Sequence, residues 1–373
     1  MKKTTFIRTI KIIALIIPIV LFVSIAQYCF FCHFDHGPER IRRFYQEEKN
    51  SLDVVVLGAS DVFAGYAPGL AYDEFGFTSY IYAGNSNPGS LYKYELKEIL
   101  STQSPQAIVV EIHGFLHGEH SYQFEEARFR AFVENIPFSL NKLDAIAHYD
   151  VDNKISYLIP FIKYHGNWTT LADQLDIAQW KLSTIRTPSY LKGTVTIATV
   201  DPYDPASIPE PPEPAPGEIV IAQEFLIDFL EYCKAEDLPV SFVRFPHRNN
   251  SKYAVGVSQV EDVLEQYGYS LLNLENNIGD YDLDYNQDFY DNEHLNIYGQ
   301  EKLTRYLGKH IADTLLDDPI VQSEENAKHW AECAAAYDVF NAYAKDMIVT
   351  APGTMPAELP WEVGSMKYWM NHR

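Results

Sequence analysis

Two short segments about 230 positions apart contain a serine, a histidine and a carboxylate whose types and spacing suit nucleophilic chemistry. Ser60 follows an apolar run and Gly58, where a buried strand would give way to a turn. Asp291 precedes His294 by three residues, just ahead of a helix-like segment. A serine hydroxyl is a weak nucleophile unless a base takes its proton, and a carboxylate orients that base. The sequence therefore predicts Ser60 as nucleophile, His294 as base and Asp291 as the orienting acid.

Alternating strands and helices must position these three residues. Apolar runs predict strands at 52–57, 78–83, 107–112, 240–245 and 270–274. Helix-compatible spacing lies at 90–101, 218–235, 257–268 and 295–316. Such alternation is typical of a parallel sheet with helices on both faces. In that architecture, loops at the carboxyl ends of the strands build the ligand site.

An insertion over 113–217 separates the two halves of this pattern. Its first part, 124–164, is aromatic and favours helix, whereas 201–217 contains seven prolines and is typical of an extended connector. We divide the chain into an anchor or signal segment at 1–31, a juxtamembrane stalk at 32–50, the α/β domain at 51–316 and a C-terminal extension at 317–373. The extension contains Trp330, Trp361 and Trp369, and we expect it to pack on the domain.

The N-terminus has an apolar run over 12–31, preceded by Lys2, Lys3, Arg8 and Lys11. That length suits one membrane-spanning helix, and the basic residues favour a cytoplasmic N-terminus. A cleavable signal peptide competes, because Ser24, Ile25 and Ala26 offer small residues at a peptidase site. We favour an uncleaved anchor, since the apolar run continues beyond that site. Either interpretation predicts a single-pass cell-membrane protein or secreted chain whose main domain is extracytoplasmic.

Charge and cysteine content narrow the function classes. The chain has a net charge of −22, and its first 50 residues are basic, so the other 323 residues carry −26. Such a domain repels polyanions, which argues against nucleic acid as a partner.

The cysteines indicate no metal site. Cys29 and Cys32 have CxxC spacing without a second pair, and the sequence leaves open whether Cys233 and Cys333 form a disulfide. Phosphate-binding glycine loops are also absent from the sequence, so no nucleotide cofactor is implied.

The serine and histidine segments resemble the SGNH, or GDSL-like, hydrolase superfamily. There a Gly-x-Ser element follows the first strand and an Asp-x-x-His pair precedes the last helix; Gly58, Ser60, Asp291 and His294 match these positions. The segment 295–299 is similar to the family's His-Leu-Asn-x-x-Gly ending. The resemblance covers about 52–112 and 218–316. It implies an α/β fold with a three-layer αβα, flavodoxin-like parallel sheet, here with a helical insertion and an N-terminal transmembrane helix.

The anchor and the Leu-Gly-x-Ser opening are similar to a membrane-tethered branch of this superfamily, which includes the D-alanine transfer protein of teichoic acids and the alginate O-acetylation proteins. This resemblance implies a serine esterase or O-acyltransferase that works outside the membrane through an acyl-serine. It implies as partners the membrane, an acylated cell-envelope polymer or small ester, and a membrane acyltransferase. It implies no cofactor and no metal.

The chain departs from the family pattern at two places. Ala59 stands where the family has an aspartate, and the segment 111–114 (Glu-Ile-His-Gly) replaces the family's Gly-x-Asn, whose asparagine donates to the oxyanion. The backbone N–H of Ser60, Gly84 and the amide of Asn85 are the candidate replacements, with Gly89 and Asn87 as alternatives. The missing asparagine also motivates a second hypothesis, a catalytically weak or inactive module that binds polymer or assists assembly.

Four further side chains are candidate substrate contacts. His165 and Trp168 belong to an aromatic cluster in the insertion that could line an acyl or sugar site, although such a cluster is more often simply a packed loop. His247 and Arg248 follow the fourth predicted strand, so they belong to the same sheet edge as Ser60. His113, His117 and His120 have spacing that suggests a metal site, but they lack the carboxylate pattern such sites require, and we predict no metal there.

Overall fold

A five-stranded, all-parallel sheet lies at the centre of the protein, as the sequence predicts. The computed structural model describes residues 2–29, 37–118, 123–172, 175, 189–208 and 214–351. The strand order is β2-β1-β3-β4-β5. The strands are β1 (Val54–Gly58), β2 (Ser79–Ala83), β3 (Ala107–Glu111), β4 (Val240–Arg244) and β5 (Leu271–Asn273).

Strand β1 is buried on both faces, which explains its unbroken apolar sequence. Val55 and Leu57 join one hydrophobic cluster, and Val54 and Val56 join another. The neighbouring strands alternate in the same way, because successive strand side chains point to opposite faces of a sheet. Both faces of the sheet are therefore covered by packed side chains.

Helices account for most of the remaining described residues. The first six are α1 (Lys2–Cys29), α2 (Gly37–Phe44), α3 (Ser60–Gly65), α4 (Pro68–Phe75), α5 (Gly89–Thr102) and α6 (Glu126–Val133). The others are α7 (Leu140–His148), α8 (Ile155–Leu158), α9 (Phe161–Tyr164), α10 (Gln223–Ala235), α11 (Ala254–Gln266), α12 (Ile297–Thr314) and α13 (Glu324–Thr350). Short 3₁₀ helices include Ile112–Phe115, directly after β3, and His165–Thr170, directly after α9.

The connection from β1 to α3 is a tight turn that requires glycine. A Cβ atom on Gly58 would collide with Val62 and come within 3.0 Å of Glu111 Cβ. The chain can therefore reverse from strand to helix only without a side chain there. This turn brings Ser60 to the first position of α3, at the carboxyl edge of the sheet.

Helix α1 is long and apolar enough to cross a membrane, although a signal sequence has the same character. Its span from Thr5 to Ala26 has 22 residues and a mean hydropathy of 2.6. Helix α2 follows and packs against β2, with the Phe44 ring edge-on to Tyr80 and Tyr82. The 37–44 part of the predicted stalk is thus a helix in contact with the sheet.

A buried ion pair joins the segment before β1 to the second half of the insertion. Lys192 Nζ lies 2.7 Å from Glu47 Oε2, and neither side chain reaches solvent. The ammonium group also lies over the ring of Trp330, which α13 contributes. The C-terminal extension therefore packs on the domain through α13, while Trp361 and Trp369 lie outside the described residues. Cys233 and Cys333 are both buried free thiols.

Candidate active site

Ser60, His294 and Asp291 form a hydrogen-bonded chain. The Ser60 hydroxyl lies 2.8 Å from His294 Nε2. On the other side of the ring, His294 Nδ1 lies 2.9 Å from Asp291 Oδ2 and 3.0 Å from Oδ1. The structure thus brings together three residues from opposite ends of the domain, in the order nucleophile, base and carboxylate that acyl transfer requires.

The loop that carries Asp291 and His294 is closed by its own backbone. The N–H of Tyr290 donates to the His294 carbonyl at 2.9 Å, and Phe289 and Leu295 form an antiparallel bridge around it. Asp291 Oδ1 also accepts the backbone N–H groups of residues 293 and 294. The carboxylate is therefore fixed before it meets the imidazole ring.

Helix α12 begins immediately after this loop and holds it against the sheet. Asn296 is its N-cap, and its side-chain oxygen accepts the N–H groups of Tyr298 and Gly299. A Cβ atom at Gly299 would collide with the Asp288 carbonyl, so only glycine allows the loop to pack this closely. The residues after His294 thus serve to position it.

The electrostatics of His294 suit a general base. Burial lowers the pKa of the ring, but the hydrogen bond and charge of Asp291 outweigh it, so the pKa of His294 is raised overall. Burial raises the pKa of Asp291, but the hydrogen bond and charge of His294, together with two backbone N–H groups, outweigh it, so the pKa of Asp291 is lowered overall. The side chain of His294 remains 22% exposed, so an ester can approach Ser60 from solvent.

The oxyanion candidates lie on two strand ends. Ser60 is the first residue of α3, and Gly84 and Asn85 follow β2, where they line a small cavity with Glu95 and Arg128. Asn85 Oδ1 is buried without a hydrogen-bond partner among the described residues. Asn87 has a different role, since its amide donates to the Gly58 carbonyl and to Glu95.

Arg248 supports the loop of the triad instead of standing free. Its guanidinium donates to the side chain and the carbonyl of Asp201, at 3.0 and 2.6 Å. Its backbone N–H donates to the Asn292 carbonyl at 2.9 Å. The predicted substrate contact thus uses its donors to link two loops beside Asp291.

His247, the neighbouring candidate, lies in a buried cluster of charges behind the nucleophile. The cluster comprises Asp61, His113, His247 and Arg244, and Arg244 is fully buried. Asp61 Oδ2 lies 3.4 Å from His247 Nε2, 3.8 Å from His113 Nδ1 and 3.8 Å from Arg244 Nη1. Since Asp61 directly follows Ser60, these contacts fix the turn that presents the nucleophile.

Arg244 determines the tautomers of both histidines. Its nitrogens lie 3.0 Å from His113 Nδ1 and 3.0 Å from His247 Nδ1. A guanidinium can only donate, so each Nδ1 accepts and each ring carries its proton on Nε2. Burial and the charge of Arg244 lower the pKa of His247 to about 4, and burial lowers that of His113 well below its usual value. Both rings are therefore neutral near pH 7.

Asp61, His113 and His247 are also the described residues best placed to hold a metal ion, with ligand atoms within 4.8 Å of one another. Arg244 already uses the lone pair of His113 Nδ1 that a metal would need. Its positive charge also occupies the space around Asp61 that a cation would fill. These contacts favour an ion-pair cluster over a metal site.

The other two histidines of the sequence pattern differ in their placement. His117 Nε2 lies 3.2 Å from His113 Nε2, whereas His120 lies outside the described residues.

We expect Arg244→Met to destabilise the protein by about 3–5 kcal/mol, because it leaves Glu111, Glu275 and Asp61 buried without their cation. The free energy of unfolding in urea, measured on the full chain in detergent, tests this. Arg305→Met is the matched control, since Arg305 also pairs with two glutamates but is 48% exposed; its expected loss is about 0–1 kcal/mol. Equal losses for the two variants would contradict the assigned role.

The remaining candidates, His165 and Trp168, lie in the 3₁₀ helix after α9. The His165 ring contacts Phe161, and its Nδ1 pairs with the Ile162 carbonyl. Both side chains are exposed. The contacts described for this segment are with α9, which itself packs on α1, and none of them involves the triad.

Sequence reasoning missed Arg244 and the role of Glu111. One Glu111 oxygen accepts the Arg244 guanidinium and the N–H of Phe245, and the other accepts the N–H of His113. Glu111 thus joins the ends of β3 and β4. The sequence contains one indication of this cluster. Asp61, Glu111 and Arg244 each lie at or just after the carboxyl end of a predicted strand, where the ends of parallel strands come together.

No protein-family model and no curated protein matches the chain. The geometry of Ser60, His294 and Asp291 is therefore the main indication of function.

Proposed function

We propose that the protein is a serine esterase or O-acyltransferase that works through an acyl-serine on Ser60. The observation that carries this proposal is the continuous chain of hydrogen bonds from Ser60 Oγ through His294 to Asp291, at 2.8 and 2.9 Å. The neighbouring charges are consistent with it, since the pKa of the base is raised while its ring stays accessible to solvent.

The fold that we propose is the three-layer, flavodoxin-like arrangement of SGNH hydrolases. Two observations support it: β1 lies between β2 and β3 in the parallel sheet, and alternate strand residues pack into separate clusters. In such folds the ligand site lies at the carboxyl edge of the sheet, near the point where the strand order reverses. Ser60 follows β1 at that point.

In the proposed reaction, Ser60 Oγ attacks the carbonyl carbon of an ester while its proton passes to His294 Nε2. The tetrahedral intermediate collapses when His294 returns this proton to the leaving alcohol, and the acyl group stays on Ser60. Water or a polymer hydroxyl then gives a proton to His294 and attacks the acyl-serine. The bond between the acyl carbon and Ser60 Oγ breaks, and Oγ takes the proton back from His294, which frees Ser60. Asp291 holds the ring in the required tautomer and stabilises its charged form.

The developing oxyanion needs donors beside Ser60. We propose the backbone N–H of Ser60, at the first position of α3, as one donor, with Gly84 and Asn85 from the adjacent strand end as the second source. Removal of a single such donor typically costs about 3 kcal/mol in the transition state.

We propose that α1 anchors the enzyme, with its catalytic domain on the extracytoplasmic side. The length and hydropathy of α1 support a membrane span, and the basic residues near its start favour a cytoplasmic N-terminus. The substrate would then be an acyl ester of a cell-envelope glycan or other polymer, or a small ester. A membrane acyltransferase is the candidate partner that would supply the acyl group. The acidic domain would bind an anionic polymer through local contacts.

The test is turnover of p-nitrophenyl acetate by the full chain in detergent, with and without glycerol as an acceptor alcohol. A burst of nitrophenol equal to the enzyme concentration is the expected sign of an acyl-enzyme. Acetate as the sole product would indicate hydrolysis, and acetylated glycerol would indicate transfer. Folded protein with neither burst nor turnover would favour the polymer-binding module instead.

A further inference from the structure

The anchor helix and the insertion are in contact. The ring of Phe22 in α1 meets the ring of Phe161 in α9 edge-on, with centroids 6.4 Å apart. Phe22 lies four residues before Ala26, where the span assigned to α1 ends, and the apolar sequence itself runs on to Phe31. At 1.5 Å per helical residue, the contact lies at least about 6 Å inside the span. The insertion therefore reaches the level of the membrane wherever α1 spans it.

The surface beside this contact is apolar and exposed. Trp168 is 68% exposed, Leu175 50%, Leu171 48% and Ile162 40%. These four residues are spaced three to six positions apart along the segment, and neighbouring exposed apolar groups mark an interaction site more often than isolated ones do. A tryptophan near the end of a membrane span is also typical of the headgroup region.

Two polar side chains of the same segment bond to α6, whereas His165, Thr169 and Thr170 are exposed. Lys163 lies 2.9 Å from Glu126 Oε1 of α6, and the Tyr164 hydroxyl donates to Glu134 at 3.3 Å. Ile162, which lies between Phe161 and Lys163, remains exposed. The segment thus places large exposed apolar side chains beside polar ones, a mixture that suits the headgroup region of a membrane.

We propose that residues 155–172, together with Leu175, lie in the outer interface of the membrane beside α1. The occupant of this surface is lipid, because the surface is continuous with the exposed apolar side of α1. The inference rests on the proposed anchoring by α1. The net charge of −26 outside the first 50 residues indicates that attachment is apolar and does not depend on anionic headgroups.

The experiment uses the full chain in phosphatidylcholine nanodiscs with one protein molecule per disc. Cys29→Ser and Cys32→Ser provide the background, since Cys233 and Cys333 are fully buried. Ile162→Cys and Leu171→Cys are labelled with a nitrobenzoxadiazole fluorophore, and quenching by lipids with a nitroxide near the headgroup is measured. Ile13→Cys, inside the span, and Val321→Cys, 95% exposed between α12 and α13, are the matched controls. Circular dichroism checks the fold of each variant.

We expect blue-shifted emission and strong lipid quenching at 162 and 171, a membrane environment at 13 and unquenched, water-like emission at 321. Water-like emission at 162 and 171 with a membrane environment at 13 would overturn the inference and leave anchoring intact. Emission that is blue-shifted but not quenched would overturn it, because the labels would then be buried against the protein itself and not in lipid. A water-like environment at 13 would overturn the anchoring and this inference together, without bearing on the catalytic triad.

Discussion

Ser60→Ala should abolish the burst and reduce ester turnover by at least about 10⁴-fold. In the proposed reaction, the Ser60 Oγ atom that is bonded to His294 is the atom of the triad that forms the bond to the acyl group. Ser60 is half-buried at the first position of α3, and alanine fits the same backbone, so the fold should be unchanged. Steady-state turnover and the burst amplitude, measured on the full chain, check this prediction.

Ser258→Ala is the control, because Ser258 is an exposed serine in α11. It should retain the turnover of the wild-type protein. Turnover by Ser60→Ala within a factor of two or three of the wild type would show that another residue forms the bond to substrate. The triad would then be a structural hydrogen-bond chain.

Asp291→Asn should reduce turnover by about 10⁴-fold, because an amide can donate to His294 Nδ1 and so favour the wrong tautomer. The residue accepts two backbone N–H groups through Oδ1, and the amide oxygen can still accept them. The loop should therefore survive while the orientation of the base is lost. Asp228→Asn, which removes an exposed carboxylate paired with Lys93, should leave turnover unchanged.

The pH profile separates this electrostatic role from a structural one. His294 acts as a base only when neutral, and its pKa is raised in the folded protein. Turnover should therefore increase as the pH rises through a midpoint above the ordinary histidine value of about 6.5. In Asp291→Asn the charge that raises this pKa is gone, so the midpoint of the residual activity should move to lower pH. An unchanged midpoint would contradict the assigned pairing.

Much of the sheet could be predicted from the sequence because β1, β2 and β3 are fully buried, and burial on both faces requires continuous apolar runs. Helix boundaries were less predictable. The helix expected from residue 218 begins at Gln223, because the backbone N–H of Val220 donates to Gln259 and that of Ala222 to the Phe115 carbonyl. Tertiary contacts thus replace the first helical turn, and local spacing does not reveal them.

The triad was predictable for a different reason. Its members lie in short sequence elements whose neighbours, Gly58 and Asn296, have clear local roles as a close-packed turn and a helix cap. The charge cluster behind Ser60 was not predictable, because Asp61, His113 and Arg244 meet only once three strands are aligned in the sheet. A single charged residue at a strand end is usually a surface group.

The position of the expected oxyanion asparagine illustrates the same limit. Glu111 there serves to join β3 to β4, and the adjacent His113 is held neutral by burial against Arg244. Sequence comparison with the family pattern identifies the substitution, but only the three-dimensional arrangement shows that the glutamate is a structural link. In the proposed reaction, the donors to the oxyanion would therefore come from the turn at Ser60 and the neighbouring strand end.

The most direct test of the central claim is labelling of the full chain with a fluorophosphonate, followed by mass spectrometry of its peptides. The activated Ser60 Oγ should displace fluoride from phosphorus and leave a single adduct on the peptide that contains Ser60. The same reagent should leave Ser60→Ala unmodified and should modify Asp291→Asn far more slowly. Folded wild-type protein that remains unlabelled, or that is labelled on another residue, would contradict the assignment of Ser60 as the nucleophile.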